Sequence, residues 1–353
     1  MHIKIRSQRY SVLKVLYNRV SLEHAPPFPH PERPERLEVA LAALNAAFEA
    51  EIVEPPSATR EDLYRVHTPE YVARIERYVE SGVSMLDSDT YLCRGTMRAA
   101  LAAAGASLAA AEAALEGFTA FALPRPPGHH AGRKGAAMGA PTQGFCIFNN
   151  AALAVARMLE LGLRRVAVVD FDAHHGNGTQ EIFYSDPRVL HIDLHEDPAT
   201  LYPGTGFPTD LGEGKAEGTK VNAVLPPGSS DDVYELALEE IVIPLLEEFK
   251  PEAIVFSAGF DACEGDGLTH LRAGPRAYAL LGKLPRELGV DKVAAVLEGG
   301  YSVGLEQGLP AFAAALAGSQ AEFEARASPL PVLSLAREYV SELKGLLRRY
   351  WRL

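Results

Sequence analysis

Val166-Ala167-Val168-Val169-Asp170-Phe171-Asp172-Ala173-His174-His175-Gly176-Asn177-Gly178 passes from core to chemistry within one residue. Val166–Val169 is a continuous apolar run, the pattern of a strand buried on both faces, and such strands belong to parallel sheets. Asp170, Asp172 and His174 then follow at a spacing of two, so an extended chain projects all three side chains to one side.

Working outward, short runs of the same kind predict further strands at Val12–Tyr17, Thr119–Leu123, Val189–Leu194, Lys220–Leu225, Ala253–Ser257 and Lys292–Leu297, with the first strand at Val166–Asp170. Helical patterns lie between them at Glu35–Ala50, Thr96–Glu116, Ala151–Leu161, Asp231–Phe249 and Pro275–Leu288. Strand and helix alternating in this way predict an α/β fold, a parallel sheet with helices on both faces. No stretch has the composition of a linker and there is no internal repeat, so residues 1–353 are read as one domain, with 1–11 as an N-terminal extension.

In a parallel α/β sheet, ligands bind beyond the carboxyl ends of the strands. Four strands here run directly into polar, titratable groups: Arg125 to His130 after Thr119–Leu123, Asp170 to Gly178 after Val166–Val169, Asp261 after Ala253–Ser257, and Glu298 to Tyr301 after Lys292–Leu297. Asp172, His174 and Asp261 make a three-ligand set for a divalent metal that leaves an open position, the pattern of a catalytic site. Aspartates also cap helices and turns; the recurrence of such groups at several strand ends favours the metal reading. His129 and His130, after a Pro-Pro-Gly turn, are suited to moving protons near neutral pH, although two loop histidines can equally satisfy backbone carbonyls. Tyr301, after two glycines, is placed to steady an oxyanion, while a tyrosine there taken alone is an ordinary half-buried residue.

The chain has 353 residues, with 34 Lys+Arg against 46 Asp+Glu, a formal net charge of −12. That balance argues against nucleic-acid binding, which needs a basic face. Cys93, Cys146 and Cys263 are too few and too scattered for a disulfide framework or a cysteine zinc site, and they suit a reducing compartment. No apolar run follows Met1–Arg6, and the Ala/Leu-rich stretch from Thr96 to Leu115 carries Arg98 and Glu112, so it reads as a packed helix and not a membrane span. A cytoplasmic protein without a membrane partner is expected.

The motifs together resemble the zinc-dependent histone deacetylase superfamily, including bacterial deacetylase-like and acetylpolyamine amidohydrolases and acetoin-utilisation proteins. The resemblance runs from His30-Pro31-Glu32-Arg33-Pro34-Glu35-Arg36-Leu37 through His67-Thr68-Pro69-Glu70-Tyr71, Arg125–His130, Gly144–Asn150, Asp170–Gly178, Tyr202–Gly206 and Ala258–Ala262 to Glu298–Tyr301. It implies an arginase-like three-layer α/β/α sandwich around an eight-stranded parallel sheet. It also implies hydrolysis of an acetyl amide, releasing acetate from acetyl-lysine or a related acetylated amine. By the same resemblance zinc sits on Asp172, His174 and Asp261, a set that iron(II) also accepts. A structural potassium ion is implied at Asp170 and the backbone of Asp172, His174 and Leu194, and Asp193 adds a carboxylate near that site. His130 looks like the general base and acid, His129 its electrostatic neighbour paired to Asp170, and Tyr301 the oxyanion donor. Phe145 and Tyr202 would flank the substrate channel, the Gly144 carbonyl would accept the amide N–H, Leu268 would line the channel and Asp89 would stand at the rim.

Three features depart from the family pattern: a long Gly/Ala-rich segment Gly132–Gln143, Asp193 where Ser is common, and Gly267 where Pro is usual. Asn177 follows the class II pattern. The alternatives are an acetylpolyamine or small-metabolite amidohydrolase, an arginase-like guanidine hydrolase with two manganese ions, and a catalytically silent acyl-lysine-binding protein. The single DxDxHH and the Glu298–Tyr301 motif count against the guanidine hydrolase. Oligomeric state is left open.

Overall fold

Eight strands lie parallel in one sheet: β1 Leu13–Leu16, β2 Glu51–Val53, β3 Thr119–Ala122, β4 Val166–Asp170, β5 Val189–Glu196, β6 Lys220–Leu225, β7 Ala253–Ala258 and β8 Val293–Leu297. Their order across the sheet is β2-β1-β3-β8-β7-β4-β5-β6. The computed structural model describes residues 13–48 and 50–353, so the expected extension at 1–11 and Val12 of the first expected strand lie outside the described residues.

Residues alternate along each strand between two cores. Ala167, Val169, Leu190, Ile192, Ile254 and Phe256 pack on one face with the helices Glu35–Ala47, Pro275–Glu287 and Leu309–Leu316. Val166, Val168, Val189, Ala253 and Val255 pack on the other with the helices Pro69–Glu80, Thr96–Leu115 and Asn150–Glu160. Two buried faces explain why the central strands, such as Val166–Asp170, Ala253–Ala258 and Val293–Leu297, are largely apolar. The three-layer α/β/α arrangement expected from the motifs is the one observed.

Three local readings change. The expected helix Glu35–Ala50 stops at Ala47, and β2 follows as a strand that the residue pattern missed. β2 is an edge strand whose residues are exposed or half-buried, so it lacks the apolar signature of its neighbours. The expected helix Asp231–Phe249 is interrupted by a wide turn over Leu238–Val242 just before Pro244, whose missing N–H cannot continue the helical ladder. Among the described residues, Thr96–Leu115 alone is long and apolar enough to cross a membrane. It is largely buried and packs against the helix Asn150–Glu160.

Candidate active site

The four strands whose ends carry polar groups are β3, β8, β7 and β4, and they are consecutive in the sheet. Groups more than a hundred residues apart therefore meet along one edge. Asp170 pairs in register with Asp193 on β5 and with Ser257 on β7.

Asp172, His174 and Asp261 offer ligand atoms that lie within 4.8 Å of one another. His174 Nδ1 faces Asp261 Oδ2 at 2.8 Å and Asp172 Oδ1 at 3.1 Å. The remaining oxygens are held by backbone: Gly299 N–H donates to Asp172 Oδ2 at 2.8 Å and Ala173 N–H to Asp261 Oδ1 at 2.9 Å. Burial, then the charge of Asp172, pushes Asp261 up to about 6. Burial alone would lower His174, but Asp261 and Asp172 outweigh it and hold the imidazole up to about 10. Two buried carboxylates thus draw a cation or a proton between them, and with an imidazole they could serve as the donor set of a divalent metal. Glycines keep the space clear. A Cβ on Gly259 would stand 2.0 Å from Asp172 Oδ2, and one on Gly299 would stand 2.5 Å from the same oxygen.

His129 and His130 are buried and adjacent, ring centroids 4.1 Å apart, yet they are driven in opposite directions. His129 Nδ1–H donates to Asp170 Oδ2 at 3.1 Å, and the charges of Asp172 and Asp170 overcome burial to raise its pKa well above the ordinary value. His130 is lowered well below that value by burial and then by the positive charges of His129 and His174. Its Nδ1–H donates to Asn177 Oδ1 at 2.8 Å, which leaves Nε2 as the unprotonated nitrogen. The result is one charged imidazole beside one neutral base. The turn that carries both is pinned by Glu298, which accepts from Gly128 N–H at 2.7 Å and His129 N–H at 3.1 Å.

A cavity of about 240 Å³ opens onto this edge, lined by Asp89, His130, Gly144, Phe145, His174, Leu201, Tyr202, Leu268 and Tyr301. Every proposed channel residue is therefore on its wall. Gly144 has φ +51° and lies so close to His130 that a Cβ would stand 2.5 Å from the ring. Phe145 also has a positive φ, +70°, backbone strain of the kind held at ligand sites. Its ring meets that of Tyr301 edge-on at 5.9 Å. Burial raises the Tyr301 hydroxyl well above its ordinary pKa, so it stays a neutral donor.

The long segment Gly132–Gln143 opens as a small hairpin, Ala131–Gly132 against Gly135–Ala136, and closes at the channel mouth. There Thr142 Oγ1 donates to Asp89 Oδ2 at 2.5 Å, and the Thr142 carbonyl accepts from the Tyr202 hydroxyl at 2.9 Å. Asp87 accepts from Gln143 N–H at 2.8 Å and joins the same rim.

Asp170 and Asp193 form a second buried cluster with His191. Burial, then the charge of Asp193, raises Asp170 well above the ordinary carboxylate pKa. Asp193 accepts from Gly176 N–H at 2.8 Å and pairs with His195 Nδ1 at 2.6 Å. Asp170 and Asp193 are donors fit for a cation. His191 escaped the sequence reading because it sits inside a strand, and Asp87, Thr142 and Leu201 because they lie in loops apart from the strand-end groups. Gly176 and Glu32-Arg33-Pro34-Glu35-Arg36 were legible as motif positions but not as contacts. A Cβ on Gly176 would stand 2.4 Å from Asp170 Oδ2.

Comparison with known proteins agrees with this geometry. The family model described as "Histone deacetylase domain" matches residues 30–316. The chain belongs to the histone deacetylase family. It is 41% identical over 352 residues to a probable deacetylase of Archaeoglobus fulgidus, covering 97% of this chain and 92% of that one. It is 36% identical over 279 residues to a histone deacetylase-like amidohydrolase of Pseudomonas aeruginosa, covering 77% and 72%. The crystal structure of the HDA15 HD domain superposes with a TM-score of 0.87 at 33% identity, covering 97% of this chain and 96% of that domain. As a histone deacetylase family member the protein is a hydrolase, a metal-dependent deacetylase of acetylated amines.

Proposed function

We propose that the protein hydrolyses the acetyl amide of acetyl-lysine or a related linear acetylated amine. The observation that supports this most directly is that His174 of the Asp172/His174/Asp261 donor set, neutral His130 and Tyr301 line one cavity together with Phe145, Tyr202 and Leu268. Asp172, His174 and Asp261 would hold zinc, or iron(II), which this donor set also accepts. Such an ion supplies Lewis-acid polarisation of the acyl carbonyl and a lowered pKa of water. Asp170 and Asp193 would hold a potassium ion, which offsets two like charges that share a buried corner.

The protein's own groups perform the rest. The aromatic walls of Phe145 and Tyr202 exclude water from the alkyl part of the substrate, and the Gly144 carbonyl accepts the amide N–H. His130 Nε2 takes the proton of the attacking water because its Nδ1–H is committed to Asn177. Tyr301 donates its hydroxyl to the developing oxyanion. A proton held on the His pair is then given to the departing amine.

Enzyme of measured metal content, assayed on acetyl-lysine peptides, acetylpolyamines and small acetylated metabolites, tests the reading. Chelation should abolish turnover, and zinc or iron(II) should restore it. Tyr301→Phe should lower kcat on the order of 10²–10³ with metal retained, the usual loss of one oxyanion donor. Near-normal turnover in that variant refutes the role given to Tyr301.

A further inference from the structure

The loop that carries Tyr301 is built on Gly299-Gly300, with Gly300 at φ +110°, so its own sequence does little to hold the tyrosine in one place. One peptide group decides where the side chain starts: the Gly300 carbonyl and the Tyr301 N–H. Both of its ends are gripped by buried charged side chains. Arg36 Nε–H donates to the Gly300 carbonyl at 2.7 Å, and its guanidinium lies 4.6 Å from the centre of the Tyr301 ring. On the other side, Asp266 Oδ2 accepts from the Tyr301 N–H at 2.8 Å. Asp266 Oδ1 accepts from the N–H of Ser302 at 2.8 Å and of Gly304 at 2.9 Å, and from the Ser302 hydroxyl at 3.2 Å.

Asp266 reaches inward because it stands between Gly265 at φ +94° and Gly267 at φ +104°, two left-handed residues that reverse the chain on either side of it. It is 7% exposed. Two residues further on, Leu268 lines the substrate cavity. A single turn therefore supplies both a wall of the channel and the anchor of the tyrosine loop.

We propose that Asp266 is a positioning residue for Tyr301, fixing the peptide plane before it so that the phenol is held where the oxyanion forms, in register with the Leu268 wall. This rests on the deacetylase reading and deepens it. Hydrogen bonds to a carboxylate are among the stronger ones available to an amide, and three from one short loop leave it little freedom. Misplacement of a reacting group by about 1 Å costs on the order of 10²-fold.

The test is a double-mutant cycle on metal-loaded enzyme of full length. Asp266→Asn keeps the size of the side chain but turns an NH₂ group towards amide donors. It should lower kcat by on the order of ten- to a hundredfold, with KM and metal content unchanged. In the Tyr301→Phe background the same change should cost almost nothing, because the hydroxyl it positions is already gone. Asp266→Ser, a second route to the same loss, should behave alike. Amide exchange over residues 301–304, read by mass spectrometry, should quicken about tenfold or more in Asp266→Asn. An equal loss in both backgrounds, an unchanged kcat, or unchanged exchange overturns the proposal. Absence of acyl-amide turnover in the wild-type enzyme would instead refute the deacetylase reading, and the exchange measurement would still decide whether Asp266 holds the loop.

Discussion

Gly259→Ala adds one methyl group at the point where β7 ends against the metal donors. Gly259 has no positive φ, so alanine suits its backbone and the effect is purely one of space. The new Cβ would stand 2.0 Å from Asp172 Oδ2, 2.4 Å from its Cγ and 2.5 Å from its Cα. Rotating the Asp172 side chain relieves the first two contacts but not the third, which is to backbone. Carbon atoms need about 3.5 Å, so the ends of β4 and β7 must separate by about 1 Å. Metal–ligand distances tolerate about 0.2 Å, so the donor set should no longer close on the ion. Overpacking should cost about 1–3 kcal/mol. At about 2.1 cal/mol/K per residue, a chain of this length should lose about 1–4 °C in Tm. Metal analysis, a thermal melt and a turnover assay are read on the same preparation. We expect a folded protein with little bound metal and turnover reduced on the order of 10²-fold or more. A Gly259→Ala protein that binds one equivalent of metal and turns over within about threefold of wild type refutes the close-approach reasoning.

Asn177→Asp places a carboxylate where neutral Oδ1 now accepts from His130 at 2.8 Å. The rate needs unprotonated His130, whose pKa is held well below its ordinary value, so the acid limb of kcat/KM should lie below pH 6.5 in wild type. The added negative charge favours the imidazolium and should move that limb upward by about 1–3 units; an unmoved limb would separate His130 from the proton transfer. Glu32→Gln should be among the most destabilising single changes. Glu32 is buried against Arg125 Nε at 2.6 Å and Arg36 at 3.3 Å, and losing it strands two buried cations, at about 3–5 kcal/mol. A denaturation curve within about 1 kcal/mol of wild type would contradict this. Gly345→Ala lies inside the helix Leu330–Leu347, where a Cβ would meet nothing within 4 Å, and it should stabilise by up to about 1 kcal/mol. A lowered Tm would show that the site is not open.

Strand identity was legible wherever both faces of the sheet are buried, because apolar side chains dominate there. β2, at the exposed edge, left no such trace, and the wide turn before Pro244 was hidden inside an otherwise helical pattern. The reactive types were legible for the same reason that β4 was. Asp170, Asp172 and His174 follow an apolar strand at period two, and side chains at the carboxyl end of a parallel strand have only the ligand crevice to enter. The glycine pairs were visible as letters, but their purpose was not, since the 2.0 Å approach of Gly259 to Asp172 depends on which strands are neighbours.

Sequence by itself determined the α/β class and singled out the candidate metal donors, the His pair and Tyr301, because each is carried by local periodicity or by a short motif. Tertiary structure alone decided the order β3-β8-β7-β4 that brings four distant strand ends together. It also decided that neighbouring imidazoles take opposite protonation states, since their charges depend on buried partners far away in the chain. The grip of Arg36 and Asp266 on one peptide belongs to the same class. Hydrogen bonds and fields act through space over a few ångströms, and only the folded chain sets those distances.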